Sequence, residues 1–111
     1  MLENLSASTL RRRRKKLVTQ LPDLGALLRG SLIERYKRCG NPNCHCQSGR
    51  GHGPKYYLSV SYPKSRPKMV YVPEAYQEKV REHIGHYTSA QGILKEICAI
   101  NNELLRRRET F

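Results

Sequence analysis

The chain has 111 residues, with 21 Lys plus Arg against 9 Asp plus Glu and a formal net charge of +12. That length suits one domain and excludes two ordinary ones, and a hydrophobic content of 38% promises a modest core that a metal or a partner chain would reinforce. No apolar run approaches a membrane span and MLENLSASTL lacks the basic-then-apolar order of a secretory signal, so the expected setting is cytoplasmic, with no membrane partner and with thiols kept reduced.

Residues 2–20 have helix-forming composition, with Leu2, Leu5, Leu10, Leu17 and Leu21 as the apolar positions. The run RRRRKK (Arg11, Arg12, Arg13, Arg14, Lys15, Lys16) covers every face of such a helix, so its members cannot all pack against protein. Pro22 ends the helix, because proline lacks an N–H and biases Leu21 away from helical geometry. LGALLRG then reads as one further turn before Gly30, which makes residues 1–30 a basic N-terminal helical segment.

Strands follow. SLIERYKRC (31–39) alternates loosely, and KYYLSVSY (55–62) alternates well, with Tyr56, Leu58, Val60 and Tyr62 on one side and Tyr57, Ser59 and Ser61 on the other. PKSRP is a turn and KMVYV (68–72) the partner strand. Residues 31–73 therefore read as a small antiparallel three-stranded sheet with a Cys-rich loop inserted in it. From Pro73 a long helix is expected over 74–111, with Tyr76, Val80, Ile84, Tyr87, Leu94, Ile97, Asn101 and Leu104 at three- and four-residue spacing. Gly85 and Gly92 each weaken it by about 1 kcal/mol relative to Ala, which leaves room for a bend or break between them. Its first half should cover the sheet. Its distal half must pack on the N-terminal helix or on a second copy of the chain, with Asn101 as a polar contact in the seam. Cys98 reads as a small buried hydrophobe of that stripe. The fold class is α+β.

The loop CGNPNCHCQSGRGHGP (39–54) carries the densest chemistry. Cys39, Cys44, Cys46 and His52 supply four ligands of the kinds tetrahedral Zn²⁺ requires. Gly40, Gly49, Gly51 and Gly53 tolerate the tight backbone of a wrap around an ion, and Asn41-Pro42-Asn43 favours a turn. Arg38 and Arg50 flank the cysteines and favour thiolate. His45 is the alternative fourth ligand, disfavoured because it lies between two cysteines that already bind. A reduced loop without metal, a catalytic zinc and a redox pair are the rival readings. A full ligand set argues against an open catalytic position, and C-x-x-C is absent. A structural zinc is the expectation.

The run GSLIERYKRCGNPNCHCQSGRGHGPKYYLS, followed by a basic turn, VYVPE and a long helix, resembles an uncharacterised prokaryotic family of small basic proteins with a C-G-x-P-x-C-x-C…H-G-P-x-Y-Y-L signature. The resemblance implies an association with transposons and other mobile elements. It runs from Gly30 onward, leaves RRRRKK outside, and treats Cys39, Cys44, Cys46 and His52 as one unit.

The charge favours a polyanionic partner, DNA ahead of RNA. The expected contacts are Arg11 to Lys16, then Arg35, Lys37, Arg38, Arg50, Lys55, Lys64, Arg66 and Lys68 for phosphates. Tyr57 and Tyr71 are expected against bases or in a groove, and a small three-stranded sheet is able to lie in the major groove. A second reading is an accessory subunit whose long helix docks on a larger nuclease, recombinase or ribonucleoprotein, or on itself as a homodimer. An enzyme is not expected: Asp23 is the only Asp and the glutamates are scattered, so no carboxylate cluster forms for Mg²⁺.

Overall fold

A computed structural model describes residues 1–37, 40–43, 49 and 51–111. It has the expected α+β composition: helix α1 (Ala7–Thr19), strands β1 (Ser31–Lys37), β2 (His52–Val60) and β3 (Lys68–Val72), and helix α2 (Gln77–Arg106). The chain divides into two compact units, Met1–Leu27 with Gly85–Phe111, and Leu28–Ile84.

The first unit pairs two helices. The apolar N-terminal stretch is not one helix from residue 2: Leu2–Asn4 forms a 3-10 turn and Leu5 is extended. α1 then starts after Ser6, whose Oγ accepts a hydrogen bond from the Thr9 N–H at 3.1 Å. That cap satisfies a backbone donor which would otherwise force the start elsewhere. Leu10 and Leu17, seven residues apart on one face of α1, are buried with Ile100 and Leu104 of α2, and Leu2, Leu5, Ala7, Ile93 and Ile97 pack around them. Each such leucine or isoleucine contributes about 1.5–3 kcal/mol by leaving water. Arg14 lies on the same face, between the two leucines. It is half-buried, and its Nη1 donates to Asn101 Oδ1 at 2.6 Å. The expected seam between α1 and the distal half of α2 is thus present, with Asn101 inside it.

Arg107 closes the end of this unit. Its guanidinium donates to the carbonyls of Leu5 at 2.6 Å and Leu2 at 2.9 Å and to Glu103 at 2.6 Å. Arg106 also binds Glu103, and these two cations, Arg106 first, hold the Glu103 carboxyl at about 2. Beyond the last turn Arg108 adopts φ 61°, and the Glu109 N–H returns to the Leu104 carbonyl at 2.9 Å. This left-handed closure satisfies carbonyls that the helix itself leaves unpaired.

Several sequence expectations need correction here. α2 runs unbroken for 30 residues through both glycines, because the cost of each is small beside the packing of Ala90, Ile93 and Ile97 along that stretch. LGALLRG holds no helix; Asp23 organises a turn instead, its Oδ1 accepting from Gly25 N–H and its carbonyl from Ala26 N–H. Cys98 is exposed, as are Tyr76 and Leu94. The packed stripe passes through Ile93 and Ile97, which precede Leu94 and Cys98 in sequence and lie about 100° from them around the helix.

The second unit is the sheet, in order β1-β2-β3 and antiparallel throughout. Leu58 and Val72 are its buried residues. Tyr56, on the same side as Leu58, lies under the Arg81 guanidinium at 5.9 Å, and the Leu28 N–H donates to the His83 carbonyl at 3.2 Å. The first turns of α2 therefore stand on the apolar side of the sheet, as its lone marginal stability requires.

β2 begins at His52, three residues before the alternating pattern starts. A bulge between Arg35 and Lys37 makes this possible: Arg35 pairs with Lys55, and Lys37 then pairs with His52. Two residues of β1 advance against three of β2, and glycine absorbs the difference. Gly51 has φ 100° and Gly53 φ 137°, and a Cβ on Gly53 would lie 2.7 Å from the Arg35 carbonyl oxygen. Sequence alternation alone cannot show a strand through G-H-G-P, because a bulge breaks the period of two. Among the described residues, a Cβ on Gly40 or Gly49 would meet nothing within 4 Å.

Candidate nucleic-acid interface and metal loop

Pairing fixes which side chains share a face. Ile33, Tyr57 and Tyr71 are in register, as are Arg35 with Lys55, Lys37 with His52, and Ser59 with Met69. Alternation places Ile33, Arg35, Lys37, Lys55, Tyr57, Ser59, Met69 and Tyr71 on the side opposite Leu58 and Val72, and the bulge brings His52, the partner of Lys37, to that side as well. Five of the expected contacts, Arg35, Lys37, Lys55, Tyr57 and Tyr71, are therefore brought together on one face. The Tyr57 and Tyr71 rings meet edge to face, with centroids 5.7 Å apart and planes at 65°, a favourable quadrupole arrangement. Glu34, the one acidic residue in the three strands, falls on the other face, where its Oε1 accepts from the Tyr36 hydroxyl at 2.7 Å. No carboxylate of the strands thus neutralises the cations on the Tyr face.

Beside the cations is a cleft of about 860 Å³ whose lining, among the described residues, is Arg35, Lys37, His52, Lys55, Tyr57 and Met69, with Tyr36 and Gly40. Met69 and His52 join this face without having been assigned to it from sequence. Met69 was readable, standing two residues before Tyr71 in one strand. His52 was not, since its place depends on the bulge.

The other expected cations are distributed elsewhere. Lys64 and Arg66 are exposed in the turn between β2 and β3. Lys68 is on the opposite face, paired with Val60, and its Nζ lies 5.4 Å from the Tyr62 ring centroid. Arg29, which sequence reading left aside, stands 5.2 Å from the same ring and donates to the Ser61 carbonyl at 2.8 Å. In α1, Arg11 is held by the Thr110 carbonyl and hydroxyl and lies 3.6 Å from Glu109, and Arg14 is held by Asn101. Arg12, Arg13, Lys15 and Lys16 are exposed, so the helix presents four of its six cations outward.

Of the metal loop, Cys39, Cys44, Cys46, Arg38, Arg50 and His45 lie outside the described residues. Among the described residues no group of three or more His, Cys, Asp or Glu side chains is placed to hold a metal. The described parts do define how the loop is closed. Its two ends, Lys37 and His52, are paired across the ladder, and within it Asn41 Oδ1 accepts from the Asn43 N–H at 3.0 Å in an Asx turn. His52 is at the base, on the strand that leads into the Tyr face.

The fold and this face define a small α+β protein with a cationic, aromatic three-stranded sheet. The chain belongs to the family described as "Domain of unknown function (DUF6788)", whose model matches residues 7–82. That segment takes in α1 with its RRRRKK run, which the resemblance read from sequence had left outside, together with the whole sheet and the first residues of α2. No curated protein and no solved structure matches significantly. Among the described residues no helix is long and apolar enough to cross a membrane.

Proposed function

We propose that the protein binds nucleic acid, DNA ahead of RNA, through the face bearing Arg35, Lys37, Lys55, Tyr57 and Tyr71. The observation that carries this reading is the register that gathers three cations and two rings on one face while leaving Glu34 on the other. Cations of this kind grip phosphates, and rings make contact with bases. The exposed cations of α1 add sequence-independent grip. A structural Zn²⁺ held by Cys39, Cys44, Cys46 and His52 would fasten the loop next to the face; the ladder pair that joins its ends supports that, because a closed loop loses less entropy on gathering ligands. On this reading the protein acts without catalysis of its own beside a mobile-element enzyme, the support being the likeness of its C-G-x-P-x-C-x-C…H-G-P-x-Y-Y-L run.

Mobility shifts with duplex DNA, single-stranded DNA and structured RNA over a range of salt test the proposal. Binding at low salt that weakens steeply as salt rises is expected. Absence of binding to all three at low salt rejects it.

One observation favours an adaptor role in addition. Leu94, Cys98 and Leu105 are exposed on α2 within about 40° of one another around the helix, roughly 110° from the buried stripe. A larger protein or a second copy would cover such a line of apolar groups. Mass measurement in solution of the chain and of its Leu94→Glu, Leu105→Glu form separates self-association from docking on another partner.

A further inference from the structure

Resting on the reading above, we infer that the ligand of the sheet face is a single-stranded nucleic acid, with bases laid on Tyr71, Tyr57 and Met69 and phosphates held by Arg35, Lys37 and Lys55. The face is divided along its strands. The end nearest the loop carries the cation pair Arg35–Lys55 and Lys37, which pairs with His52, and the next rungs carry Ile33–Tyr57–Tyr71 and Ser59–Met69. Tyr71 is 53% exposed and Met69 41% exposed, so a ring and a thioether lie open beside the charged end of the face.

That chemistry discriminates between strands and duplexes. Reading a duplex takes bidentate donors and acceptors aimed at base edges, chiefly Arg, Asn and Gln. The central rungs offer none of these; apart from hydroxyls, their groups are apolar or aromatic. A duplex also keeps its base faces stacked on one another, where Tyr71 and Met69 cannot reach them. An unpaired strand exposes those faces, and stacking on them is tolerant of sequence. The cleft of about 860 Å³ beside Tyr57 and Met69 gives the strand a trough bordered by the three cations. DNA and RNA single strands share this chemistry.

Fluorescence anisotropy of the full chain with oligothymidine, oligouridine and a duplex of equal length, at one low salt concentration, tests the inference. Either single strand should bind at least roughly tenfold more tightly than the duplex, and the two homopolymer arms rank the DNA strand against the RNA strand. Tyr71→Leu keeps apolar bulk for the sheet and removes the ring. It should weaken single-strand binding about five- to a hundredfold and leave duplex binding unchanged, whereas Tyr71→Phe should bind as the parent does. Duplex binding equal to or tighter than single-strand binding overturns the inference and leaves the proposed function standing, as does a Tyr71→Leu protein that retains full single-strand affinity. No binding to any of the three overturns both.

Discussion

Alanine substitution of four glycines tests whether the bulge at the base of the loop is built as described. At Gly53 the backbone has φ 137°, and a new Cβ would stand 2.7 Å from the Arg35 carbonyl oxygen and 3.1 Å from the Lys55 nitrogen. Both obstacles are backbone atoms of the ladder, which cannot rotate away. A side chain held in that region costs of order 1–3 kcal/mol before any clash. Gly30, with φ 144° and the Ser59 carbonyl oxygen 2.7 Å from the added Cβ, should behave alike. Gly85 and Gly92 have nothing within 4 Å and sit inside α2, so alanine there should stabilise by about 0.5–1 kcal/mol each. Urea denaturation followed by far-UV circular dichroism measures the sign, and amide hydrogen exchange assigns it to a unit. Gly53→Ala should speed exchange across the β1–β2 ladder and spare α1. A Gly53→Ala protein as stable as its parent, or a Gly85→Ala protein less stable, would refute the reasoning.

Three other outcomes are expected. Leu104→Ala removes a fully buried side chain from the cluster with Leu10, Leu17 and Ile100 and should destabilise by about 2–5 kcal/mol in a denaturant titration; a loss below about 1 kcal/mol would place that core elsewhere. The Glu103 carboxyl is lowered from 4.5 to about 2, first by its hydrogen bond from Arg106 and then by Arg107. A depressed carboxyl stabilises the fold fully above its unfolded value and ceases to do so as pH falls through its folded one, so stability should drop between about pH 4.5 and 2. Glu103→Gln should flatten that part of an acid titration, and an unchanged titration counts against the pairing. Metal analysis of purified protein should find zinc in the parent and less in Cys44→Ser, with a lower melting temperature; equal metal content and melting argue against the ligand set.

Much of the fold was legible in sequence because its signals are local. Tyr56, Leu58 and Val60 alternate cleanly and Leu10 and Leu17 repeat at a helical interval, so the α+β architecture followed from spacing, whereas spacing put Asn101 in a seam but left its partner open between α1 and a second copy. The bulge was hidden because two glycines with positive φ replace alternation, and the strand start at His52 went with it. Cys98 reads as buried by residue type, yet the packed stripe keeps the expected Ile97 and Leu104, adds Ile93 and Ile100, and leaves Cys98 exposed. In the basic run, composition cannot tell Arg14, which reaches Asn101 across the seam, from the exposed Arg13 beside it. Arg29 had no signal at all, since its partner Tyr62 is distant in sequence.

The central claim is that the cations of the Tyr face touch phosphates. The salt dependence of binding measures this directly, because each phosphate contact releases counterions and steepens the fall of log K with log salt. Comparing the parent with an Arg35→Ala, Lys37→Ala, Lys55→Ala triple variant on a single strand, the slope should become shallower by about 2. A triple variant with the parent's slope and affinity would contradict the account.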